Sequence, residues 1–115
     1  MKKAAPGLIL PIALPIELIR EFCRRNHVTW MAFFGSVLRD DFTVQSDVDV
    51  LVTFEHNHVP GFIGLGRMEE ELADVLGREV DLLTVKSLHA NIRDQVLAEA
   101  QVIYDAASGR SLPAT

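Results

Sequence analysis

Phe33-Phe34-Gly35-Ser36-Val37-Leu38-Arg39-Asp40-Asp41-Phe42-Thr43-Val44-Gln45-Ser46-Asp47-Val48-Asp49-Val50-Leu51-Val52 is the stretch that decides how this chain folds. A glycine-serine break ends one apolar run, and ten residues later two aspartates separated by a valine open the next. From residue 47 to 54 the side chains alternate, with Asp47, Asp49, Leu51 and Thr53 on one side and Val48, Val50, Val52 and Phe54 on the other. Period two predicts a strand whose two carboxylates leave the same face about 6–7 Å apart along the chain. Such a pair is costly on an apolar strand, since like charges that approach to about 4 Å at an effective dielectric near 20 repel by roughly 4 kcal/mol. A hard divalent cation removes that cost, and Mg2+ sits on one or two carboxylates plus substrate phosphates.

Working outward, residues 28–34 are aromatic and β-branched and read as a buried strand ahead of the Gly35-Ser36 break. Pro15 stands where a first-turn proline belongs, and Ile16, Ile19, Phe22 and Cys23 recur at helical spacing up to about Asn26-His27. Residues 37–42 read as a short helix or turn, and residues 56–61 as a loop. Phe62, Leu65, Met68, Leu72, Val75 and Leu76 predict a second helix that Gly77 stops as a C-terminal cap. Residues 79–85 give a third strand with Glu79, Asp81 and Leu83 on one side. Leu88, Ile92, Val96 and Leu97 mark a last helix, and residues 101–104 a short final strand. The order predicts an α/β (α+β) fold, a small mixed sheet flanked by helices.

At 115 residues the chain is one domain, with its core expected over about 15–105 and fraying tails at 1–8 and 108–115. The net charge is −5 and the 11 lysines and arginines are scattered, which argues against a long polynucleotide as substrate. One cysteine, Cys23, excludes an internal disulfide and any multi-cysteine zinc site, and its place on an apolar helix stripe predicts a buried, inert thiol. The apolar N-terminal run is broken by Pro11 and Pro15 and has no small-residue cleavage site, so a cytoplasmic location is expected.

Asp81 has the parity to join Asp47 and Asp49 if its strand neighbours theirs. Three carboxylates on adjacent strands suit two-metal phosphoryl or nucleotidyl transfer, with ions about 3.5–4 Å apart. Gly35 admits a phosphate close to the backbone, and Ser36 offers a hydroxyl and an amide. Arg39 is a candidate phosphate contact, with an ion pair to Asp40 or Asp41 as its competing reading. His56 and His58 are two loop histidines without a third ligand; Gly61, Gly64 and Gly66 follow a proline loop and open a helix, with loop flexibility the better reading and a phosphate loop the weaker one. Trp30, Phe33 and Phe34 read as packing, and Glu69-Glu70-Glu71 as a mostly solvated helix face.

Gly35-Ser36, Asp47-Val48-Asp49 and the later acid in Gly77-Arg78-Glu79-Val80-Asp81-Leu82-Leu83 together resemble the DNA polymerase beta-type nucleotidyltransferase superfamily. The small size, Phe34-Gly35-Ser36 with Arg39, and residues 46–52 are similar to its minimal nucleotidyltransferases. Where members of that family often read Gly-Ser-Arg-Ala-Arg-Gly, Val37 and Asp40 replace the first arginine and the last glycine. The resemblance implies two Mg2+ ions on Asp47, Asp49 and Asp81, and ATP held at Gly35, Ser36 and Arg39. It places Asp81 to help deprotonate an acceptor hydroxyl. It further implies an antitoxin that silences a HEPN-domain ribonuclease toxin by transferring AMP to a toxin tyrosine. Modification of a small antibiotic-like hydroxyl compound, and neutralisation by binding alone, are the rival readings.

Overall fold

The sheet and its helices follow from where the apolar periodicities change; the computed structural model describes residues 14–38, 47–107 and 110–111. Helix α1 (Ile16–Arg25) turns its spacing into a stripe, with Ile16, Ile19, Phe22 and Cys23 all buried. Pro15 is its N-cap, and the Pro15 carbonyl accepts from the Ile19 N–H at 3.0 Å. Strands β1 (Val28–Phe34) and β2 (Val48–Phe54) pair antiparallel. Helix α2 (Phe62–Leu76) then carries the chain to β3 (Val80–Thr84), which lies parallel to β2. Parallel strands require such a crossover, whereas antiparallel neighbours do not. Helix α3 (Ala90–Glu99), β4 (Gln101–Asp105) and β5 (Arg110–Ser111) complete a five-stranded mixed sheet in the order β3-β2-β1-β4-β5.

The valine side of β2 is the core side. Val48, Val50 and Val52 pack with Met31 and Phe33 of β1, Val80 and Leu82 of β3, and Ile103 and Tyr104 of β4, beneath Phe22 of α1 and Leu72 of α2. The acidic side of β2 is therefore turned away from that cluster. Along it exposure falls from Asp47, which is exposed, through the half-buried Asp49 to the buried Leu51. Cys23 is fully buried, and burial pushes its thiol up to about 12, against a smaller opposing effect from the Arg24 charge. An inert structural cysteine is the consequence.

Several local expectations need correction. Gly61 is the N-cap of α2 and Gly64 and Gly66 lie in its first turns, so they open the helix and do not add a flexible loop. Within the tail expected to fray at 108–115, Arg110 and Ser111 pair with Asp105 and Tyr104, and the rest of that tail lies outside the described residues. Helix α3 forms where its spacing predicts, yet none of its residues is buried; Leu88, just ahead of it, is. The glutamate run of α2 is only partly solvated: Glu70 is exposed, but its two neighbours make contacts. Glu71 pairs with Arg25, and Glu69 Oε2 accepts the Leu82 N–H at 2.8 Å.

The Glu69 contact closes an exposed flank of the fold. β3 is the edge strand, so the outward N–H of Leu82 has no neighbouring strand to bond. Truncating Glu69 to alanine orphans that part-buried donor, and a bond to a charged acceptor contributes about 1.5–3 kcal/mol. Urea unfolding of Glu69→Ala is expected to show a loss of that order at unchanged m value, with Glu69→Gln losing less because its amide oxygen still accepts. Equal losses in the two variants would rule out the hydrogen bond as the cause.

Candidate active site

Three strands bring the candidate residues to one end of the sheet. β1 finishes at Phe34, whose partner in the antiparallel register is Asp49. Asp49 is in turn the register partner of Asp81 across the parallel β2–β3 pair. Neighbouring strands lie about 4.7–4.9 Å apart, so Asp49 and Asp81 project side by side from the same face. The Val48 N–H donates to the Glu79 carbonyl at 3.0 Å and fixes this register at the start of both strands. Asp47 lies one step before β2 with the same parity as Asp49, and both it and Asp81 are exposed.

Immediately after Phe34 the backbone turns at Gly35, with φ +77°, into a 3-10 turn over Gly35–Leu38. A glycine is needed there for two separate reasons. The left-handed φ disfavours any side chain, and a Cβ at this position would stand 2.1 Å from Asp49 Oδ2 and 3.1 Å from its Cγ. The turn thus presses its backbone against the central carboxylate of the row. Ser36 follows Gly35 in the backbone of the turn. Arg39 lies outside the described residues.

The donor set decides what this end of the sheet can hold. Asp47, Asp49 and Asp81 offer only carboxylate oxygens, so the site suits a hard, oxygen-seeking cation such as Mg2+, not a thiolate- or imidazole-preferring one. The exposed positions of Asp47 and Asp81 leave room for substrate phosphates and water, which Mg2+ retains in its octahedral shell. A backbone turn with no side chain at position 35 lies directly beside that row, as close approach of a phosphate chain requires.

The chain is similar to known proteins along most of its length. Residues 16–103 match the family described as the nucleotidyltransferase domain. A candidate protein adenylyltransferase of Methanocaldococcus jannaschii is 41% identical over 76 residues, covering 66% of this chain and 80% of its own length. The protein adenylyltransferase MntA of Thermococcus cleftensis is 38% identical over 85 residues, covering 74% of this chain and 82% of its own. A chain of the solved complex between a tri-AMPylated HEPN toxin and an MNT antitoxin of Shewanella oneidensis superposes with a TM-score of 0.59. That match covers 81% of this chain and 71% of the other at 20% identity, a likeness of fold.

Proposed function

The chain belongs to the nucleotidyltransferase domain family, and on that footing we propose that it is a Mg2+-dependent protein adenylyltransferase, the antitoxin of a HEPN ribonuclease toxin. The reaction moves AMP from ATP to a tyrosine hydroxyl of the toxin. The observation that carries this reading is the row Gly35–Asp49–Asp81, a side-chain-free turn beside two carboxylates in register on parallel strands. The protein adenylyltransferase relatives supply the class of acceptor.

In this mechanism the tyrosine oxygen forms a bond to the α-phosphorus of ATP, and the bond from that phosphorus to the bridging oxygen of pyrophosphate breaks. A tyrosine hydroxyl has a pKa near 10, so only about one in a thousand is ionised at pH 7 and its proton must be taken. Asp81, exposed on the edge strand, is open to the acceptor and would take that proton. Asp47 and Asp49 would hold the cations together with Asp81, while Gly35, Ser36 and Arg39 would receive the triphosphate. Two bound Mg2+ ions would lower the pKa of the attacking hydroxyl and neutralise charge on the leaving pyrophosphate. Among the described residues no helix is long and apolar enough to cross a membrane, and the cytoplasm, where ATP is abundant, is the proposed location.

Intact-mass spectrometry of a purified cognate HEPN protein tests the reading. Incubation with this chain, ATP and Mg2+ is expected to add the mass of one or more AMP groups on tyrosine, and EDTA to prevent it. Neutralisation of the toxin with no mass change would replace transfer by contact inhibition. Adenylylation of a free aminoglycoside, with the toxin unmodified, would reassign the acceptor.

A further inference from the structure

We propose that His27, Glu55 and His58 form a second metal site, for Zn2+, at the end of the sheet opposite the aspartate row. β2 alone separates the two by seven residues, about 20 Å at the rise of a strand. The site does not depend on the adenylyltransferase reading.

Backbone geometry brings the three residues together. His27 follows the C-terminus of α1 with φ +59°, a left-handed position usually given to glycine or asparagine. Its carbonyl accepts the Glu55 N–H at 2.9 Å, which extends the Val28–Phe54 pairing by one residue beyond each strand. The His58 N–H then donates to the Glu55 carbonyl at 3.0 Å and closes the turn through Asn57, also left-handed at φ +71°. The end of α1 and the turn after β2 are thus tied by main-chain bonds before any side chain acts.

The side chains converge on one point. Glu55 Oε1 lies 3.6 Å from His27 Nδ1 and 3.8 Å from His58 Nδ1, both too long for a hydrogen bond. The two imidazole rings stack with centroids 3.9 Å apart and planes at 20°, and one ligand atom from each of the three residues lies within 4.8 Å of the others. Zinc bonds of about 2.0–2.2 Å in a tetrahedron put ligand atoms roughly 3.3–3.5 Å apart, so contraction by a few tenths of an ångström closes two edges. The rings must fan apart to point their nitrogens at one ion. Side-chain exposures of 45% for His27, 46% for His58 and 53% for Glu55 leave them room to turn. The His56 carbonyl, 3.3 Å from His58 Nδ1, gives way when that nitrogen ligates.

Two imidazoles and one carboxylate are the donors of a zinc centre and a poor match for Mg2+, the reverse of the all-oxygen row at the other end. Water completes the fourth position through a cleft of about 410 Å³ lined by His27, His58, Arg25 and Arg67. A bound ion would lock the exit of α1 to the turn after β2.

Titration calorimetry with Zn2+ alone, without ATP or Mg2+, tests the site on the full chain. In the Asp49→Asn background, which weakens the acidic row, one equivalent of Zn2+ is expected to bind. His27→Gly and His58→Ala should each lower that affinity at least tenfold, and His56→Ala and His89→Ala should not. His27→Gly keeps the test independent of folding, because glycine suits φ +59° and should preserve or raise the metal-free Tm. Zinc should raise the Tm of the parent and not that of His27→Gly. Undiminished binding in His27→Gly, binding abolished by Asp49→Asn alone, or no binding at all would each overturn the proposal.

Discussion

Asp49→Asn is expected to lower AMP transfer by about a thousandfold or more, equivalent to roughly 4 kcal/mol of transition-state stabilisation, while the fold persists. Asparagine matches aspartate in shape, so the close fit of the side chain beneath the Gly35 turn is preserved and the charge alone is lost. That charge is the central one of the row, with Asp81 as its register partner and Asp47 two residues before it. In the proposed Mg2+ site, its loss would deprive a divalent cation of the ligand lying between the two other acids. Asparagine keeps a side-chain oxygen that accepts hydrogen bonds and removes one of several like charges, so the Tm measured in EDTA should stay close to that of the parent. Steady-state transfer with Mg2+ and ATP, together with that Tm, decides the matter. Transfer within tenfold of the parent would take Asp49 out of the chemistry, and a large fall in Tm would make the loss one of folding.

The parts of this design legible in the sequence are those set by local geometry. The alternation over residues 47–54 separates the two faces, and the structure makes the valine side the core. Gly77, at φ +68°, ends α2 as its position after Leu76 predicts. Parity alone could not fix which β3 residue stands beside Asp49, since sliding one strand by two residues preserves every face. The Asp49–Asp81 pairing comes from the length of α2 and the bond from the Val48 N–H to Glu79.

Charged residues with structural work to do were the least legible. A glutamate on a helix reads as solvated until β3 proves to be an edge strand with an outward N–H at Leu82. His27 and His58 are 31 positions apart in the chain and share no motif, and only the antiparallel β1–β2 pairing places them together. The spacing of α3 was read correctly as helical, but spacing cannot say whether a neighbour exists to cover the apolar residues, and Ile92 remains 46% exposed.

Replacing Gly35 by alanine should damage both stability and transfer, and comparison with Gly77→Ala separates the causes. Both glycines are left-handed, at φ +77° and φ +68°, so a side chain at either carries a conformational penalty of about 1–2 kcal/mol. At Gly77 nothing lies within 4 Å of the added Cβ, so that penalty is the whole effect and transfer should be unchanged. At Gly35 the Cβ falls 2.1 Å from Asp49 Oδ2, far inside contact distance, and the carboxylate must swing out of the row. Displacing it by even about 1 Å costs on the order of a hundredfold in rate, because the reacting groups are held in near-attack geometry. Gly35→Ala is therefore expected to lose at least that much transfer and more stability than Gly77→Ala, and Gly35→Val to lose more of both. If the two alanine variants lose equal stability and Gly35→Ala still transfers AMP at the parent rate, then the chemistry does not depend on how the turn seats Asp49.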